Sequence, residues 1–205
     1  MTDQLTFGSL TIAFDDRVLR PREWTAAQSD WAADLLATAP DGTVLELCAG
    51  AGHIGLLAVA SSERHLLCVD ANPVACDYAR ANALAAGMAD RVEVREGRLE
   101  DALEPGELFP VIIADPPWVP REETGRFPED PLTAIDGGDD GLDVARACLA
   151  VVDEHLAPGG SAVLQVGTRA QTDALRGEPC FTEGRLAMVE VRQQVRGVLA
   201  RIDRA

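Results

Sequence analysis

The chain has 205 residues, 47% of them hydrophobic, which suits one domain with a proper core. Its formal net charge is -16, and all 18 basic residues are arginine. The lack of lysine excludes P-loop and Schiff-base lysine chemistry, and the acidity argues against a protein that grips a nucleic-acid backbone.

No segment has the pattern of a secretory leader, a membrane span or a metal site. No apolar stretch approaches the roughly 20 residues that cross a bilayer, and the first ten residues lack a basic region followed by an apolar one. The five cysteines form no CxxC pair, and the three histidines lie far apart. We therefore expect reduced thiols, no metal, no membrane contact and a cytoplasmic location.

In chain order, the segment 1–40 comes first and differs from the rest. A small hairpin is predicted over 5–14 and an amphipathic helix over 25–39. We interpret 1–40 as an N-terminal arm that covers the site and 41–205 as the main domain.

From residue 43 onward, short apolar strands alternate with helices. This alternation predicts a parallel sheet with helices on both faces, and two closing strands predict an antiparallel hairpin at one edge. The segment 121–143, with eight acids and two arginines, is predicted to be a solvated loop. Strands are predicted at 43–47, 65–70, 91–96, 111–114, 161–167, 185–194 and 195–203, and helices at 53–61, 73–87 and 141–156.

The first motif is ELCAGAGHIG, residues 46–55, which contains GxGxxG at Gly50, Gly52 and Gly55. Between a strand and a helix, such a loop lets the backbone approach a ligand closely. Asp70 ends the next strand, at the distance from Gly50 where an acid can accept both hydroxyls of a ribose. These two features fit a nicotinamide dinucleotide enzyme and an S-adenosylmethionine enzyme equally well.

Two details favour S-adenosylmethionine. Glu46 lies in the strand end, where a carboxylate can order the glycine loop or reach the cofactor's amino group. The strand VIIA is followed by DPPW, residues 115–118, whose prolines remove two amide donors. Asp115 and a carbonyl of this corner can accept the two hydrogens of a planar NH₂ group while Trp118 stacks on it. The nitrogen lone pair then faces an electrophilic methyl, which is catalysis by positioning.

With these motifs in order, the chain resembles the class I S-adenosylmethionine-dependent methyltransferases. It further resembles the release-factor glutamine methyltransferases and their small relatives, through VLRPREWT (18–25), PLTAIDGGDDGLDVAR (131–146) and HLAPGGSAVLQVG (155–167). The resemblance covers about residues 18–175. It implies an α/β, Rossmann-like three-layer sandwich with a seven-stranded, mostly parallel sheet and one antiparallel edge hairpin strand.

The chain departs from that branch at several positions. DPPW replaces the usual NPPY and is more typical of enzymes that methylate an exocyclic nucleobase amine. Cys48 stands where the first glycine is usual, which narrows the room near the cofactor's methionine end, and Arg98 stands where an acid commonly follows the third strand. Only the short segment 1–40 stands where bacterial members carry a separate N-terminal helical domain.

The resemblance implies S-adenosylmethionine as the methyl donor, with S-adenosylhomocysteine as the product. We predict catalytic roles for Asp115, Pro116 and Trp118, and acceptor binding by Asp115, Pro116, Pro117 and Trp118. His53 is interpreted as a packing or capping residue. The predicted cofactor-binding residues are Thr25, Glu46, Cys48, Gly50, Gly52, Asp70, Ala71, Arg98, Leu99 and Asp115.

The predicted function is N-methylation of an amide or amine nitrogen of a protein, peptide or small molecule. The first alternative is methylation of an RNA or DNA nucleobase amine, which DPPW favours and the acidic charge disfavours. An NAD(P)-dependent oxidoreductase is a distant alternative. The candidate partners also include a small partner subunit, whereas nucleic acid is not expected as a partner.

Overall fold

A seven-stranded sheet forms the centre of the computed structural model, which describes residues 2–205. Its strand order is β5-β4-β3-β6-β7-β9-β8, and only β9 runs antiparallel to its neighbours. The predicted fold class is therefore confirmed, including the antiparallel hairpin at one edge. The strands of this sheet are β3 (Val44–Leu47), β4 (Leu66–Asp70), β5 (Val92–Glu96), β6 (Phe109–Ala114), β7 (Leu156–Val166), β8 (Leu186–Gln193) and β9 (Val198–Arg204).

Helices cover both faces of the sheet because the central strands are apolar on both sides. In β6, for example, Ile112 faces one core cluster, while Val111 and Ile113 face the other. The first three helices lie on the Val111 face and the last three on the Ile112 face. The helices are α1 (Ala26–Leu36), α2 (His53–Val59), α3 (Pro73–Ala85), α4 (Leu132–Ile135), α5 (Asp143–His155), α6 (Arg169–Leu175) and α7 (Pro179–Thr182).

The N-terminal segment forms the predicted hairpin and helix. Strands β1 (Asp3–Phe7) and β2 (Leu10–Phe14) pair antiparallel, and α1 packs against α2 and the sheet. The side chain of Asn82 on α3 ties the hairpin down, since its amide bonds to both backbone groups of Ala13 and to the carbonyl of Ala51. The division of the chain at residue 40 stays a prediction.

The structure differs from the predicted elements in two regions. Helices α6 and α7 occupy 168–184, where no element was predicted, and α6 begins with a capping box formed by Thr168 and Gln171. The segment 121–143, predicted to be a loop, contains a 3₁₀ turn at Arg121–Arg126 and the short helix α4. All four elements are short, so their hydrophobic pattern is too brief to detect.

All five cysteines are free. Within residues 2–205, no helix is long and apolar enough to cross a membrane. The cytoplasmic location stays a prediction.

Candidate active site

The site lies where the carboxyl ends of β3, β4 and β6 meet. Strands β3 and β6 are neighbours in the sheet, but the chain leaves them toward opposite faces, to α2 and to α5. A crevice opens at such a switch point in an α/β sheet, and ligands bind there. The glycine loop follows β3, Asp70 ends β4, and the Asp115–Trp118 corner follows β6.

The loop after β3 presents backbone to this crevice. Gly50 has a φ of +54°, and a Cβ built there would meet no atom within 4 Å. At Gly52, with a φ of +76°, a Cβ would lie 3.2 Å from the Cβ of Ala79, so a side chain would crowd α3. Cys48 is the one non-glycine residue of the described chain with a positive φ, +57°, and its Sγ lies 4.0 Å from the Sγ of Cys148.

Asp70 holds the glycine loop from the neighbouring strand. Its Oδ2 accepts a hydrogen bond from the backbone N–H of Gly50 at 2.7 Å, and its Oδ1 accepts one from Asn72 at 2.8 Å. Burial raises the pKa of Asp70, and these N–H donors oppose that effect. Each carboxylate oxygen has a second lone pair, so Asp70 can accept ligand hydroxyls while it holds the loop.

A cavity of about 560 Å³, here the first cavity, lies between the glycine loop, Asp70 and the corner after β6. Its size suits a ligand as large as a nucleoside with a short tail. Val18 and Leu19, in the segment between β2 and α1, form part of its wall. Six predicted cofactor-binding residues line it, namely Cys48, Gly50, Asp70, Ala71, Leu99 and Asp115.

The corner after β6 places one carboxylate in an apolar setting. Asp115 is half-buried and Pro116 is buried. Burial raises the pKa of Asp115 to about 7, although a hydrogen bond from Gln165 to its Oδ1, at 2.8 Å, opposes the rise. The carboxyl group therefore exchanges its proton near neutral pH.

Three glutamine side chains hold this corner in place. Gln28 on α1 donates to the carbonyls of Ala114 and Val163, both at 2.9 Å, and so bridges β6 and β7. Gln165 on β7 donates to Asp115. Gln171 on α6 donates to the carbonyl of Trp118 at 3.0 Å. The carbonyls of Ala114 and Trp118 and the carboxylate of Asp115 thus have donors from three separate elements, which fixes the corner without a turn hydrogen bond.

A second cavity, of about 680 Å³, lies on the other side of the corner. The ring of Trp118 lies in its wall and packs against Gly167, where a Cβ would overlap the ring. Arg22 and Asp130, which both line this cavity, form an ion pair at 2.6 Å. The two cavities share the wall residues Leu19, His53, Asp115, Pro117 and Ala134.

His53 begins α2 in the wall between the cavities. The hydroxyl of Thr25 donates to the carbonyl of Arg22 at 2.7 Å, so it can only accept from His53 Nε2, which lies 3.4 Å away. A hydrogen bond in this contact therefore requires the tautomer with its proton on Nε2. Burial lowers the pKa of His53 to about 4, so the ring is neutral at neutral pH. The ring packs edge-on against Phe7, as the packing interpretation requires, but it also borders both cavities.

Four predicted cofactor-binding residues lie outside the wall of the first cavity. Thr25 lines the second cavity instead. Glu46 lies beneath the loop, where its Oε1 accepts from the N–H of Gly55 at 3.0 Å, and Gly52 is buried against α3. Arg98 points to solvent in an ion pair with Glu100. These four residues do not line the first cavity, and cofactor binding by them stays a prediction.

Several residues around the site were not predicted. Gln28, Gln165 and Gln171 hold the corner, and His53 was assigned only a packing or capping role. The motif TxxQ at Thr168–Gln171 is a capping-box signal that indicates a helix start there. No local pattern marks the other two glutamines, because their partners lie on strands distant in sequence.

Known proteins are similar to this chain over the residues that form the site. A model of the family described as "Methyltransferase small domain" matches residues 24–127, which include the glycine loop, Asp70 and the Asp115–Trp118 corner. The catalytic domain of hMettl16, solved in complex with MAT2A 3'UTR hairpin 1, has a TM-score of 0.72 at 17% identity, over 95% of this chain and 74% of that one. At that identity the likeness shows the fold.

Two curated relatives are similar in sequence. The release factor glutamine methyltransferase of Clostridium acetobutylicum is 29% identical over 175 residues, which cover 82% of this chain and 61% of the relative. The ribosomal protein uL3 glutamine methyltransferase of Bordetella pertussis is 32% identical over 163 residues, which cover 75% of this chain and 53% of the relative. The matched part thus spans little more than half the length of these relatives.

Proposed function

Since the chain belongs to the methyltransferase small domain family, we propose that it transfers a methyl group from S-adenosylmethionine to the side-chain amide nitrogen of a protein. The observation that carries the proposal is the meeting of two cavities at Asp115 and Pro117. A methyl donor in the first cavity and an acceptor in the second would meet where the two cavities adjoin, beside these residues.

The first cavity fits the cofactor on two observations. The space beside Gly50 is open, and the carboxylate of Asp70 has lone pairs left for ribose hydroxyls. Leu99 and Ala71 would contact the adenine, and the loop from Cys48 to Gly50 would hold the methionine end. When bound, the cofactor supplies a methyl group on a positively charged sulfur, which is the electrophile.

The corner binds and orients the acceptor nitrogen. A primary amide carries two N–H groups, and the corner offers the carboxylate of Asp115 and the carbonyls of the two prolines as acceptors. Pro116 and Pro117 have no N–H that could compete. Trp118 gives the amide plane an apolar surface. These contacts would turn the nitrogen toward the first cavity, and bringing the two groups into line is the main contribution to rate.

A protein acceptor is supported by the names of the relatives, which act on glutamine in a release factor and in ribosomal protein uL3. The second cavity is open enough for a side chain that enters from a protein surface. Its wall mixes arginines with acids, so both signs of charge are available to a polypeptide. A small partner subunit and a cytoplasmic location stay predictions.

A nucleobase amine is the second candidate. DPPW favours it, as does the fold likeness to an enzyme solved with an RNA hairpin. The net charge of -16 weighs against it, since phosphate contacts supply most non-specific affinity for nucleic acid. We expect no measurable binding to generic single- or double-stranded nucleic acid at physiological salt in a gel-shift titration.

The test uses cofactor with an isotope-labelled methyl group and three probes, namely purified bacterial release factor, purified ribosomal protein uL3 and total RNA. We expect label on a glutamine of one of the two proteins after digestion and mass spectrometry, and none with heat-treated enzyme. Label in RNA alone would replace the proposal with the nucleobase alternative. Calorimetry with S-adenosylhomocysteine and with NAD checks the donor site separately, and binding of NAD alone would overturn it.

A further inference from the structure

The carboxylate of Asp115 is held by one buried amide. Gln165 is 1% exposed, and its Nε2 donates to Asp115 Oδ1 at 2.8 Å. The residues before them, Ala114 and Leu164, are partners in the parallel pairing of β6 and β7. The two side chains therefore stand side by side at the end of neighbouring strands.

The backbone of Gln165 is fixed on both sides. Strand β7 pairs with β6 on one side, and Gln165 itself pairs with Leu199 of β9 on the other. A side chain on such a strand keeps a constant position relative to the corner. In the described chain, Asp115 Oδ2 has no hydrogen-bond partner, and it is not among the enclosed polar atoms without one. Oδ2 is thus the oxygen open to the cavities.

We propose that Gln165 is a positioning residue of the acceptor site, which fixes Asp115 through Oδ1 and keeps Oδ2 free for an N–H of the acceptor. This inference rests on the proposed function and deepens it. The contact also sets the polarity of the pair, because the amide donates and the carboxylate accepts.

The polarity explains how an aspartate can serve where related enzymes have asparagine in NPPY. An asparagine beside Gln165 could turn either its oxygen or its NH₂ group toward the acceptor, and only the oxygen can accept an N–H. If position 165 carried a glutamate, it would accept from the asparagine NH₂ and turn the asparagine oxygen outward. The pair of residues, and not position 115 alone, decides which atom the acceptor meets.

Other ionisable groups surround Asp115 and bear on its titration. Glu46 on β3 and Cys48 after β3 lie within electrostatic range, and His53 on α2 shares both cavity walls. Burial raises the pKa of Glu46 and lowers that of His53, while the contact with Cys148, together with burial, raises the pKa of Cys48, so these groups are neutral near pH 7. Gln165 is the side chain that opposes the raised pKa of Asp115 through a hydrogen bond.

The first experiment needs no acceptor. The side-chain carboxyl carbons of aspartate are isotope-labelled and titrated by NMR, and the Asp115 resonance is assigned by its loss in Asp115→Asn. In Gln165→Leu, we expect the midpoint of this resonance to move to higher pH, because the donor that favours the ionised form is gone. The matched control is Gln4→Leu, since Gln4 is exposed on β1. An unchanged midpoint in a folded Gln165→Leu overturns the proposal.

The second experiment measures turnover on the acceptor that the wild type labels. We expect Gln165→Leu to lower kcat by about 10–100-fold through misplacement, with the cofactor Kd unchanged. The double variant Asp115→Asn with Gln165→Glu should be more active than Asp115→Asn alone, since the hydrogen bond is restored with reversed polarity. A double variant less active than the single one overturns the assignment of Oδ2. A wild type inactive on all probes, with the NMR shift present, counts against the proposed function and supports the positioning contact.

Discussion

The two cavities that meet at Asp115 are built in different ways. The first is walled mainly by short segments that directly follow β3, β4 and β6, with open backbone at Gly50. The second is assembled from the segment 19–25, the corner 115–119, the segment 126–135 and Arg196, which lie far apart in the chain. A site made of backbone and strand ends suits a ligand common to many enzymes, whereas a site made of side chains from scattered loops can be adapted to one acceptor.

The cavities also differ in charge. The first wall carries two acids, Asp70 and Asp115, and no arginine. The second wall carries four arginines beside its acids, and one of them, Arg22, pairs with Asp130 of the same wall. Substitutions on either side should therefore separate donor binding from acceptor use.

The largest effect on turnover is expected at the shared wall. Asp115→Ala should lower turnover by about 2–4 kcal/mol, because a positioned polar group in a closed site is lost. Asp115→Asn should lose within ~10–100-fold, since an asparagine oxygen still accepts an N–H. A rate assay on both variants, with cofactor affinity checked, measures the difference, and Asp41→Ala is the control at a fully exposed acid. Equal losses in both variants would favour a charged amine as the acceptor.

The pH profile tests the same carboxylate. Because the pKa of Asp115 is raised to about 7, its carboxyl group is ionised above that pH and protonated below it. We expect turnover to rise as pH increases through about 7 in the wild type. This limb should vanish in Asp115→Asn. A wild-type profile flat between pH 6 and pH 8 would contradict the role of an ionised acceptor oxygen.

The second effect concerns the first cavity alone. Asp70→Ala should weaken binding of S-adenosylhomocysteine by ~1–3 kcal/mol, because ribose contacts and the hold on Gly50 are both lost. Calorimetry measures the change. Asp77→Ala is the matched control, since Asp77 is 81% exposed on α3 and lines neither cavity. A loss of acceptor affinity with unchanged cofactor affinity would remove the distinction between the two sides.

The two cavities also differ in how directly the sequence predicts their residues. The glycine loop and Asp70 are contiguous signals, so the sequence predicts where they lie once the parallel order of the strands is assumed. The contacts of Gln28 and Gln165 depend on β7 lying next to β6, which no local periodicity specifies. The same reason explains Arg22 and Asp130, which are 108 residues apart in the chain.

Glu46 shows the limit of a motif within a single element. Its place at the end of β3 is apparent from the sequence, and two roles were open for it, ordering the loop or reaching the cofactor. The carboxylate lies 2% exposed against Gly55 and Cys68, because the side chain at that strand position points under the loop. Strand alternation predicts which face of the sheet a side chain lies on, but it does not predict whether a ligand reaches that side chain.

The next prediction concerns the protonation of Glu46, which lies beneath the glycine loop of the first cavity. Burial raises its folded-state pKa from 4.5 to about 8, so the folded protein keeps a proton that the unfolded chain releases. Glu46 should therefore make the free energy of unfolding fall as pH rises from about 4.5 to about 8, by up to about 1.4 kcal/mol per pH unit, whereas the lowered pKa of His53 acts in the opposite direction between about 4 and 6.5.

Glu46→Gln resembles the protonated acid and should lack this contribution, so that the variant gains stability relative to the wild type as pH rises toward 8. Urea unfolding at several pH values measures it, with the exposed Glu63→Gln as control. A variant with the same pH slope as the wild type would mean that Glu46 is ionised in the folded protein.

The smallest effect is expected for the ion pair in the wall of the second cavity. Arg22 and Asp130 are 32% and 9% exposed, so the pair is only partly screened by water, and removal of one partner leaves the other nearly buried. Arg22→Ala should lower kcat/KM for the acceptor by about 3–10-fold, the equivalent of roughly 1 kcal/mol, with the cofactor Kd unchanged.

The double variant Arg22→Ala with Asp130→Ala should recover part of that loss, because no unpaired charge remains in the wall. The control pair is Arg80 and Asp77 on α3, which are exposed and lie outside both cavity walls. The cycle is read from acceptor kinetics at low and high salt. If Arg22→Ala weakens cofactor binding as much as acceptor use, the ion pair stabilises both sides together, and the separation of donor and acceptor walls does not extend to the segment 19–25.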